Sequence, residues 1–468
     1  MRIVIVGAGL VGLQLAQYLI QEKHNVSLIE SNEERGRYAS NRLDCLVLHD
    51  EGNSLRVLEK AGIAKADALV CVTGSDEVNM IICGLAASRN PKLLKIARVR
   101  NDDYARLNKT SGRVLGIDHF VHPDVEASEA ALNAIEHGAR GDILAFAGTP
   151  YQLGSVTITP GSVFDGLVVK DYRKAAPGES LITLVERPGG IILPSGATVL
   201  ARGDRIHILA REKELGRIFG LAGRTEQPLR NIGIAGGGRL GSLIAEGLLT
   251  KAGRSKPSLF SFFKTLVFKR NFRVVIIERD YHLCKELAAR FPEALILNDD
   301  ISEESFTTEE QLDKLDLIVT TTDKQELNII TAVYLKSRGV DRAVAMVTGP
   351  GYAAIARRLG VDVVIPMKTV IVDSILSRLM GGGVKEVRRL GDGGVDVMQV
   401  EIRKDAPVAD APISAFRLSA GGLLMLVNRG GDSFIPTGDY VFKAGDSLVL
   451  IAKTGSRGEI ERYFGAAE

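Results

Sequence analysis

The sequence has few of the features that mark membrane-embedded, secreted or nucleic-acid-binding proteins. None of its apolar runs reaches the length of a membrane-spanning helix. The net charge is only +2 and no domain-wide basic tract carries interleaved aromatics, which gives no case for a nucleic-acid partner. An apolar strand pattern begins already at Arg2, so we expect no secretory signal peptide.

Cysteine is also scarce. The four cysteines form no CxxC pair and no metal-ligand spacing, and they are Cys45, Cys71, Cys83 and Cys284. This usage suits a reducing cytosol, and we predict no metal site. The first three fall in apolar strand or helix patterns, where we interpret them as packing residues.

The usual catalytic signatures are absent as well. The chain has no Ser-His-Asp order, no nucleophile elbow and no P-loop GK[ST], and none of its seven histidines lies in a recognisable catalytic setting.

Apolar residues at 45% and charged residues at 25% are ordinary globular values. A length of 468 residues predicts three or four domains, each able to bury its own core.

The strongest positive signal is a dinucleotide-binding start that occurs twice. The strand pattern 2–6 leads into the GAGLVG of residues 7–12, and the strand pattern 231–235 leads into the GGGRLG of residues 236–241. In a GxGxxG turn the first glycine makes the tight turn, the second lets a pyrophosphate approach backbone N–H groups, and the third packs helix on strand. The anion would lie at a helix N-terminus, whose unpaired N–H groups and dipole favour negative charge.

An acidic residue closes a second apolar strand in each copy. Glu30 ends the stretch 26–30 and Glu278 ends the stretch 274–278. A carboxylate in this place can accept both hydroxyls of an adenosine ribose, and it repels a 2′-phosphate. Glu30 lies close to the expected spacing of roughly twenty residues after the glycines, whereas Glu278 comes about nineteen residues late and indicates an insertion. For each residue the alternative is a solvated strand end.

The two halves of the chain match well beyond the glycines. The matching segments are 48–51 with 297–300, 72–79 with 321–328, 115–118 with 359–362, and 193–204 with 435–446. Each copy then ends in a short helical tail. We therefore interpret the whole chain as one duplication of a larger α/β unit and a smaller β-rich unit.

Strand patterns that alternate with helical stretches predict the fold of the larger unit. Such alternation implies a parallel, doubly wound sheet. We predict an α/β protein with two Rossmann-like doubly wound parallel sheets, each followed by a small α+β module. The predicted boundaries are 1–123 (first Rossmann domain), 124–140 (linker helix), 141–224 (first small module), 229–366 (second Rossmann domain), 367–383 (linker helix and hinge) and 384–468 (second small module).

This order of motifs resembles the RCK domain family (regulator of potassium conductance, also called KTN plus TrkA-C). The shared features are GxGxxG, the acid, an Asp-containing turn after the third strand, Thr-x-x-x-Glu-x-Asn after the fourth, and a small module with P-S/T-G and G-D turns. Two copies in one chain resemble, over essentially all 468 residues, the tandem-RCK TrkA family of potassium uptake systems.

The resemblance implies a regulatory protein. Members of the family are nucleotide-binding subunits that form a ring beneath a potassium channel or transporter and control it. For this chain it implies NAD (NAD⁺ or NADH) as ligand, with ATP or ADP as further candidates, a homotetramer, and a TrkH- or TrkG-type membrane partner. It also implies a cytoplasmic location, peripheral on the cytoplasmic face of the inner membrane.

Carried over by position, the family's ligand contacts fall on defined residues. The first-copy phosphate contacts are Gly7, Ala8, Gly9, Leu10, Val11 and Gly12. The other first-copy positions are Glu30 at the ribose, Asp50 and Glu51 near the adenine, Thr73 and Gly74 at the switch point after the fourth strand, and Arg98 on the phosphate or nicotinamide side. The second-copy positions are Gly236, Gly238, Arg239, Leu240, Gly241, Glu278, Asp299 and Thr322.

Two departures from the family pattern affect these expectations. His49 stands where family members often have glycine, so we expect crowding at the turn after the third strand. Met346 matches Arg98, so we expect the second pocket to lack that cation and to bind a nucleotide more weakly, or a different one. The alternative for Arg98 itself is an ordinary surface arginine.

An NAD-dependent oxidoreductase, such as a saccharopine-dehydrogenase-like enzyme, is the alternative function. Such an enzyme needs a proton donor or acceptor that faces the nicotinamide, and a domain that encloses the substrate. The small modules of about eighty residues offer little room for a substrate pocket. We therefore predict no catalytic residue and no enzymatic activity.

The insertion before Glu278 has an unusual composition. Residues 250–273 hold seven basic residues and no acid, together with Phe260, Phe262, Phe263, Leu266, Val267 and Phe268. Basic residues around an aromatic cluster can lie on an anionic membrane surface or dock on a partner, and we hypothesise that role here. The alternative is a helix extension that packs its phenylalanines on its own domain or on a ring neighbour.

Overall fold

Four β-sheets follow one another along the chain in the residues that the computed structural model describes. These residues are 1–101, 103–104, 114–139, 143–146, 148–176, 178–187, 190–223, 229–250, 272–301, 312–379, 384–390, 394–419 and 421–465. Two six-stranded parallel sheets alternate with two five-stranded antiparallel sheets, which confirms the predicted fold class. The insertion of residues 250–273 lies, except for its ends, outside the described residues, so its docking role stays a prediction.

The first parallel sheet has the strand order β3-β2-β1-β4-β5-β6. Its strands are β1 (Arg2–Val6), β2 (Asn25–Glu30), β3 (Leu46–His49), β4 (Ala68–Cys71), β5 (Leu94–Arg98) and β6 (His119–Val121). The accompanying helices are α1 (Leu10–Gln21), α2 (Glu33–Ser40), α3 (Leu55–Lys60), α4 (Asp76–Arg89) and α5 (Pro123–Glu136). The chain reverses its direction of travel across the sheet between β1 and β4, and ligands of open α/β sheets bind at the carboxyl ends of strands at such a switch point.

An antiparallel sheet of order β10-β9-β11-β8-β7 follows. Its strands are β7 (Ile143–Ala145), β8 (Tyr151–Thr157), β9 (Ser180–Arg187), β10 (Gly190–Ile192) and β11 (Arg205–Arg211). Helices α6 (Tyr172–Ala175) and α7 (Glu212–Leu221) belong to the same module. Leu215, Ile218 and Phe219 recur at helical spacing on α7 and are buried against this sheet, which is why the short tail forms a helix.

The second parallel sheet repeats the order of the first as β14-β13-β12-β15-β16-β17. Its strands are β12 (Asn231–Ala235), β13 (Arg273–Glu278), β14 (Leu295–Asn298), β15 (Leu317–Thr320), β16 (Arg342–Val347) and β17 (Val363–Pro366). The helices are α8 (Arg239–Leu249), α9 (Tyr281–Arg290), α10 (Gln325–Ser337), α11 (Pro350–Arg358) and α12 (Met367–Leu379). The duplication inferred from the sequence is therefore also a duplication of topology.

The last antiparallel sheet has the order β18-β19-β22-β20-β21. It is built from β18 (Val384–Leu390), β19 (Val395–Glu401), β20 (Gly422–Arg429), β21 (Asp432–Phe434) and β22 (Ser447–Lys453), with helix α13 (Arg457–Phe464). The same ion pair lies in both antiparallel modules. Arg187 donates to both carboxylate oxygens of Asp204, at 3.0 and 2.6 Å, and Arg429 donates to both oxygens of Asp446, at 2.7 and 2.7 Å.

The described residues divide into two compact units, and each unit combines elements of both copies. One unit consists of Met1–Pro123 with Ile371–Glu468, and the other consists of Asp124–Val370. In the first unit, Ile371, Val372 and Ile375 of α12 are buried in the same apolar core as α1 and β1. In the second unit, Ala131 and Leu132 of α5 are buried with α8 and β12. The helix that follows each parallel sheet thus packs on the parallel sheet of the other copy. The domain boundaries predicted from the sequence stay predictions.

Three further observations bear on the sequence expectations. None of the described helices is long and apolar enough to cross a membrane. The described part of the chain contains no group of three or more His, Cys, Asp and Glu residues placed to hold a metal ion. Cys71 and Cys83 are buried with their Sγ atoms 3.7 Å apart, and burial raises the pKa of the Cys71 thiol well above its usual range, as expected for packing residues.

Candidate functional site

The first glycine loop connects β1 to α1, and the fold itself requires two of its three motif glycines. Gly7 has φ +106°, a left-handed conformation that residues with a Cβ adopt only with strain. A Cβ atom on Gly12 would overlap the carbonyl oxygen of Gly7, so α1 can approach the loop only with glycine there. A Cβ atom on Gly9 would meet no atom within 4 Å. The open space therefore lies beside Gly9, where the motif brings a pyrophosphate to the backbone.

The N-terminus of α1 faces this space without a capping side chain. The N-cap residue is Gly9, which has no side chain, and the following Leu10 is 61% exposed. The next helix differs, because the side chain of Asn32 accepts the N–H of Arg35 at 3.0 Å. The backbone N–H groups in the first turn of α1 therefore favour an anion, through hydrogen bonding and through the helix dipole.

Glu30 lies against the glycine loop and is not a solvated strand end. Its side chain is only 7% exposed. One carboxylate oxygen accepts the backbone N–H of Ala8 at 2.6 Å, and the other accepts the N–H of Asn32 at 2.9 Å. A carboxylate oxygen offers two lone-pair sites, so these bonds fix the group while each oxygen retains capacity for a ligand hydroxyl.

Thr73 and Arg98 meet at the switch point after β4. The Oδ1 atom of Asn79 accepts from the backbone N–H of Thr73 at 2.9 Å and from its hydroxyl at 2.7 Å. The Nδ2 atom of Asn79 donates to the carbonyl oxygen of Arg98 at 2.9 Å, which ties the end of β5 to the same loop. Arg98 is half-buried, with Nη1 3.4 Å from the carbonyl oxygen of Thr73. A Cβ atom on the adjacent Gly74 would meet no atom within 4 Å, so the loop surface is open there.

The turn after β3 contains Asp50 and Glu51, next to Glu30. The N–H of Asp50 donates to the carbonyl oxygen of Glu30 at 3.2 Å, and Oδ1 of Asp50 accepts the N–H of Glu51 at 2.9 Å. The expected crowding by His49 is not found at this turn. The His49 ring lies over α2, with Nε2 3.3 Å from the hydroxyl of Ser40, in space that exists because Gly36 has no side chain.

The second glycine loop reproduces the backbone geometry of the first. Gly236 has φ +102°, a Cβ atom on Gly241 would overlap the carbonyl oxygen of Gly236, and a Cβ atom on Gly238 would meet nothing within 4 Å. The carboxylate of Glu278 accepts the N–H of Gly237 at 2.8 Å, as Glu30 does from Ala8. The delayed acid thus occupies the same place as Glu30, although its residue is less deeply buried.

The second switch point also repeats the hydrogen bonds of the first. Asn328 accepts from the backbone N–H and the hydroxyl of Thr322 at 2.9 and 2.7 Å, and it donates to the carbonyl oxygen of Met346 at 3.0 Å. Oδ1 of Asp299 accepts the N–H of Asp300 at 2.7 Å. Strand register agrees with the sequence match and puts Met346 in the place of Arg98.

Two side chains distinguish the second site from the first. Met346 is 1% exposed, so an apolar, buried group stands where the first copy has a guanidinium. Arg239 begins α8 in the place of Leu10, and its Nε lies 3.4 Å from Oδ2 of Asp124 at the start of α5. A cation is therefore present in the second site, but at the glycine loop and not at the end of β16. Leu240, which follows Arg239, is buried and packs in the core of the sheet.

An acid near each switch point is held in its charged form. The hydroxyl of Ser75 donates to Glu77 at 2.7 Å and, with a smaller contribution from the backbone, lowers the pKa of Glu77. In the second copy, hydrogen bonds from its own backbone N–H and then from Tyr352 lower the pKa of Glu326. Each switch point thus has a nearby negative charge.

Two important residues stand out in the sequence only as members of the repeated motif. Asn79 and Asn328 position the switch-point threonines and the ends of β5 and β16. A signal was present, because the same Thr-to-Asn spacing recurs in both copies. Asp124 was not predicted as a site residue, since nothing in the sequence pairs it with Arg239.

Family comparisons match each half of the chain to the same two domains. The TrkA-N domain matches residues 3–123 and 261–366. The TrkA-C domain matches residues 153–223 and 397–465. The TrkA-N matches cover the first parallel sheet and strands β13 to β17 of the second, and the TrkA-C matches cover most of the two antiparallel sheets.

Curated relatives align with the chain from end to end. The Trk system potassium uptake protein TrkA of Haemophilus influenzae is 25% identical over 471 residues, which cover 99% of this chain and 98% of that protein. The TrkA protein of Halomonas elongata is 26% identical over 470 residues, with 99% and 98% covered. A TrkA homolog of Archaeoglobus fulgidus is 28% identical over 464 residues, with 99% and 100% covered.

Solved structures of similar fold come from the GsuK channel and its RCK domain. The crystal structure of the GsuK RCK domain has a TM-score of 0.54 and 17% identity, and covers 100% of this chain and 95% of that chain. The GsuK channel bound to NAD has a TM-score of 0.53 and 17% identity, with 100% and 79% covered. At this level of identity the likeness shows a shared fold.

Proposed function

The chain belongs to the TrkA family of regulatory proteins in Trk potassium uptake, and we propose that it is controlled by NAD(H) and adenine nucleotides bound at its two glycine loops. The loop of Gly7–Gly12 is the principal site in this proposal. The loop of Gly236–Gly241 is a second site of different strength or ligand preference.

The observation that carries the proposal is the hydrogen bond between Glu30 and the N–H of Ala8. It holds an acid at the end of β2 directly beside a glycine loop with open space at Gly9. An adenosine ribose bonded to Glu30 would place its pyrophosphate at the start of α1, where the N–H groups favour an anion. Arg98 lies at the switch point, where its guanidinium would face a phosphate or the nicotinamide of the ligand.

Helix α1 provides a physical route from this loop to the antiparallel module of the same unit. Near its C-terminus, the Tyr18 hydroxyl donates to Asp396 at 3.4 Å, and Glu22 accepts the N–H of Gly455 at 2.7 Å. Burial raises the pKa of Glu22, against the hydrogen bond from Gly455 and the charge of Arg457. A ligand that binds one arrangement of α1 more tightly than another shifts the population of the module's states, and coupling energies of about 1–3 kcal/mol are typical.

The family also supports a proposal for assembly and location. We propose a homotetramer on the cytoplasmic face of the inner membrane, bound to a TrkH- or TrkG-type potassium transporter. The chain would act without catalysing a reaction on its nucleotide. The NAD-bound GsuK channel, which shares the fold, is a precedent for NAD binding by such domains.

Reconstitution with a Trk-type transporter in proteoliposomes tests the proposal. We expect potassium flux to depend on added NADH, NAD⁺, ATP or ADP when the wild-type chain is present, and to lose most of that dependence with Gly9→Val. Absorbance at the NADH band in the same samples should stay constant with candidate keto acids. Flux that is indifferent to every nucleotide, or steady NADH turnover, would reject the proposal.

A further inference from the structure

The second glycine loop lies beside helix α5, the helix that follows the last strand of the first parallel sheet in the sequence. Helix α5 follows β6 directly and runs parallel to α8, as two contacts along their length show. Asp124 and Arg239 meet at the starts of the two helices, and about two turns further on a Cβ atom on Gly247 would overlap the side chain of Leu132. At the other end, Arg342 donates to the carbonyl oxygen of Gly138 at 2.9 Å. Helix α5 is thus fixed along α8, with its N-terminus at the second loop.

The Asp124–Arg239 pair occupies the part of the site that carries ligand charge. Arg239 is the first residue of α8, directly after Gly238, whose missing side chain leaves the loop open. Its Nε lies 3.4 Å from Oδ2 of Asp124, and the two side chains are 38% and 21% exposed. A phosphate at this loop would bring negative charge to the same cation that Asp124 now contacts.

We propose that a ligand phosphate and Asp124 compete for Arg239, so that Arg239 is the charged phosphate contact of the second site and Asp124 sets its affinity. This inference rests on the proposed function, since it assumes that the second loop binds a nucleotide. It names the cation that replaces Arg98 in this copy. It also makes the first turn of α5 the place where occupancy of the second site is sensed.

Exchange of partners is favourable for both groups. A guanidinium can bind phosphate through two parallel charge-assisted hydrogen bonds, whereas here its Nε lies 3.4 Å from a partly exposed carboxylate. Asp124 lies in the first turn of α5, where the helix dipole stabilises an acid that has lost its ion pair. The first copy has no such exchange, because Leu10 takes the place of Arg239.

Titration of ADP into the full chain, with Gly9→Val to block the first loop, tests the inference. Asp124→Asn should tighten ADP binding about two- to fivefold, the range expected when a partly exposed ion pair no longer competes. Arg239→Leu, which installs the first-copy residue, should weaken ADP binding about tenfold or more. Asp124→Asn should have no further effect in the Arg239→Leu chain, and Arg239→Lys should recover part of the affinity.

Adenosine and a matched ion pair serve as controls. Adenosine has no phosphate, so its affinity should not respond to Asp124→Asn. Glu246→Gln removes a carboxylate 2.7 Å from Arg290, also on α8 but away from the loop, and should leave ADP affinity unchanged. Equal gains for ADP and adenosine, or an unchanged affinity in Arg239→Leu, would overturn the inference. Loss of all ADP binding in the Gly9→Val chain would also overturn the inference. If wild type still bound ADP in that case, the proposed function of the first loop would stand.

Discussion

The carboxylate of Glu30 accepts the backbone N–H of Ala8 at 2.6 Å, so the acid of β2 and the glycine loop form one bonded unit. Glu278 and Gly237 repeat this bond at 2.8 Å in the second copy. A buried acid that is held by two backbone donors needs no further partner for its own stability. Its remaining lone pairs are therefore available to a ligand.

The first prediction concerns the loop and its acid. Gly9→Val places a branched side chain in the space through which a pyrophosphate approaches, and should abolish nucleotide binding at the first loop. Glu30→Ala removes a charged hydrogen-bond acceptor and should weaken NADH and ATP binding by about 1.5–3 kcal/mol. Calorimetric titration of the full chain measures both effects. Unchanged affinity in both variants would remove the first loop from the proposal.

The second prediction is discrimination against NADP(H). The 2′-phosphate would face Glu30 in a half-enclosed cleft, where like charges repel. The nearest basic residues are Arg35 and Arg37 on α2, and Arg37 is already 2.5 Å from Glu33. We expect NADPH to bind at least about tenfold more weakly than NADH, which corresponds to about 1.4 kcal/mol. A competition titration of NADPH against NADH measures the ratio of the two affinities, and equal affinity would count against the role of Glu30.

The third prediction is the oligomeric state. Four chains, each with two copies of the parallel-sheet domain, would close an eight-unit ring, because the duplication halves the number of chains that a ring needs. Light scattering at micromolar concentration, with and without nucleotide, should report a tetramer. A stable monomer under both conditions would disprove the ring.

The fourth prediction concerns the insertion 250–273. Deletion of residues 254–269 should weaken sedimentation with anionic liposomes or with transporter-containing vesicles, because it removes basic and aromatic side chains together. Nucleotide affinity at Gly7–Gly12 should not change, and it serves as the control for folding. If membrane association persists and the tetramer dissociates, the segment is a packing element.

The fifth prediction is a pH-dependent contribution of Asp446 to stability. Burial alone would raise the pKa of Asp446, but hydrogen bonds from Arg429 and Tyr440 outweigh it and lower the pKa below the ordinary 3.8. Asp446→Asn should lower the free energy of unfolding at neutral pH by about 2–3 kcal/mol, less than for a fully buried pair because Arg429 is 42% exposed.

The sign of the pH effect follows from the lowered pKa. A carboxyl whose folded-state pKa is depressed stabilises the fold above its unfolded pKa, near 3.8, and loses that contribution as the pH falls through the folded value. The difference in the free energy of unfolding between wild type and Asp446→Asn should therefore be largest at neutral pH. It should begin to shrink as the pH falls below about 4. Asp410→Asn, in an exposed pair with Lys443, is the control and should change stability by no more than about 0.5–1 kcal/mol. A gap that persists in acid would contradict the assignment.

Local chemistry explains how much of the site could be predicted. The glycines of each loop, Glu30 and the switch-point threonines follow from short motifs whose geometry is set by neighbouring residues, and the structure places them together. The position of Met346 also followed, because the two copies could be aligned. The position of the His49 ring over α2 could not be predicted from the sequence, since it depends on the space that Gly36 leaves open.

The sequence by itself determined the duplication, the fold class and the loop geometry, because turn sterics and strand or helix periodicity are local properties. Only the tertiary structure decided which elements share a core. Helix α5 packs on the second parallel sheet and α12 on the first, and this choice rests on shape and apolar area between segments far apart in the chain. The Asp124–Arg239 pair exists for the same reason, since packing of α5 along α8 brings the two helix starts together.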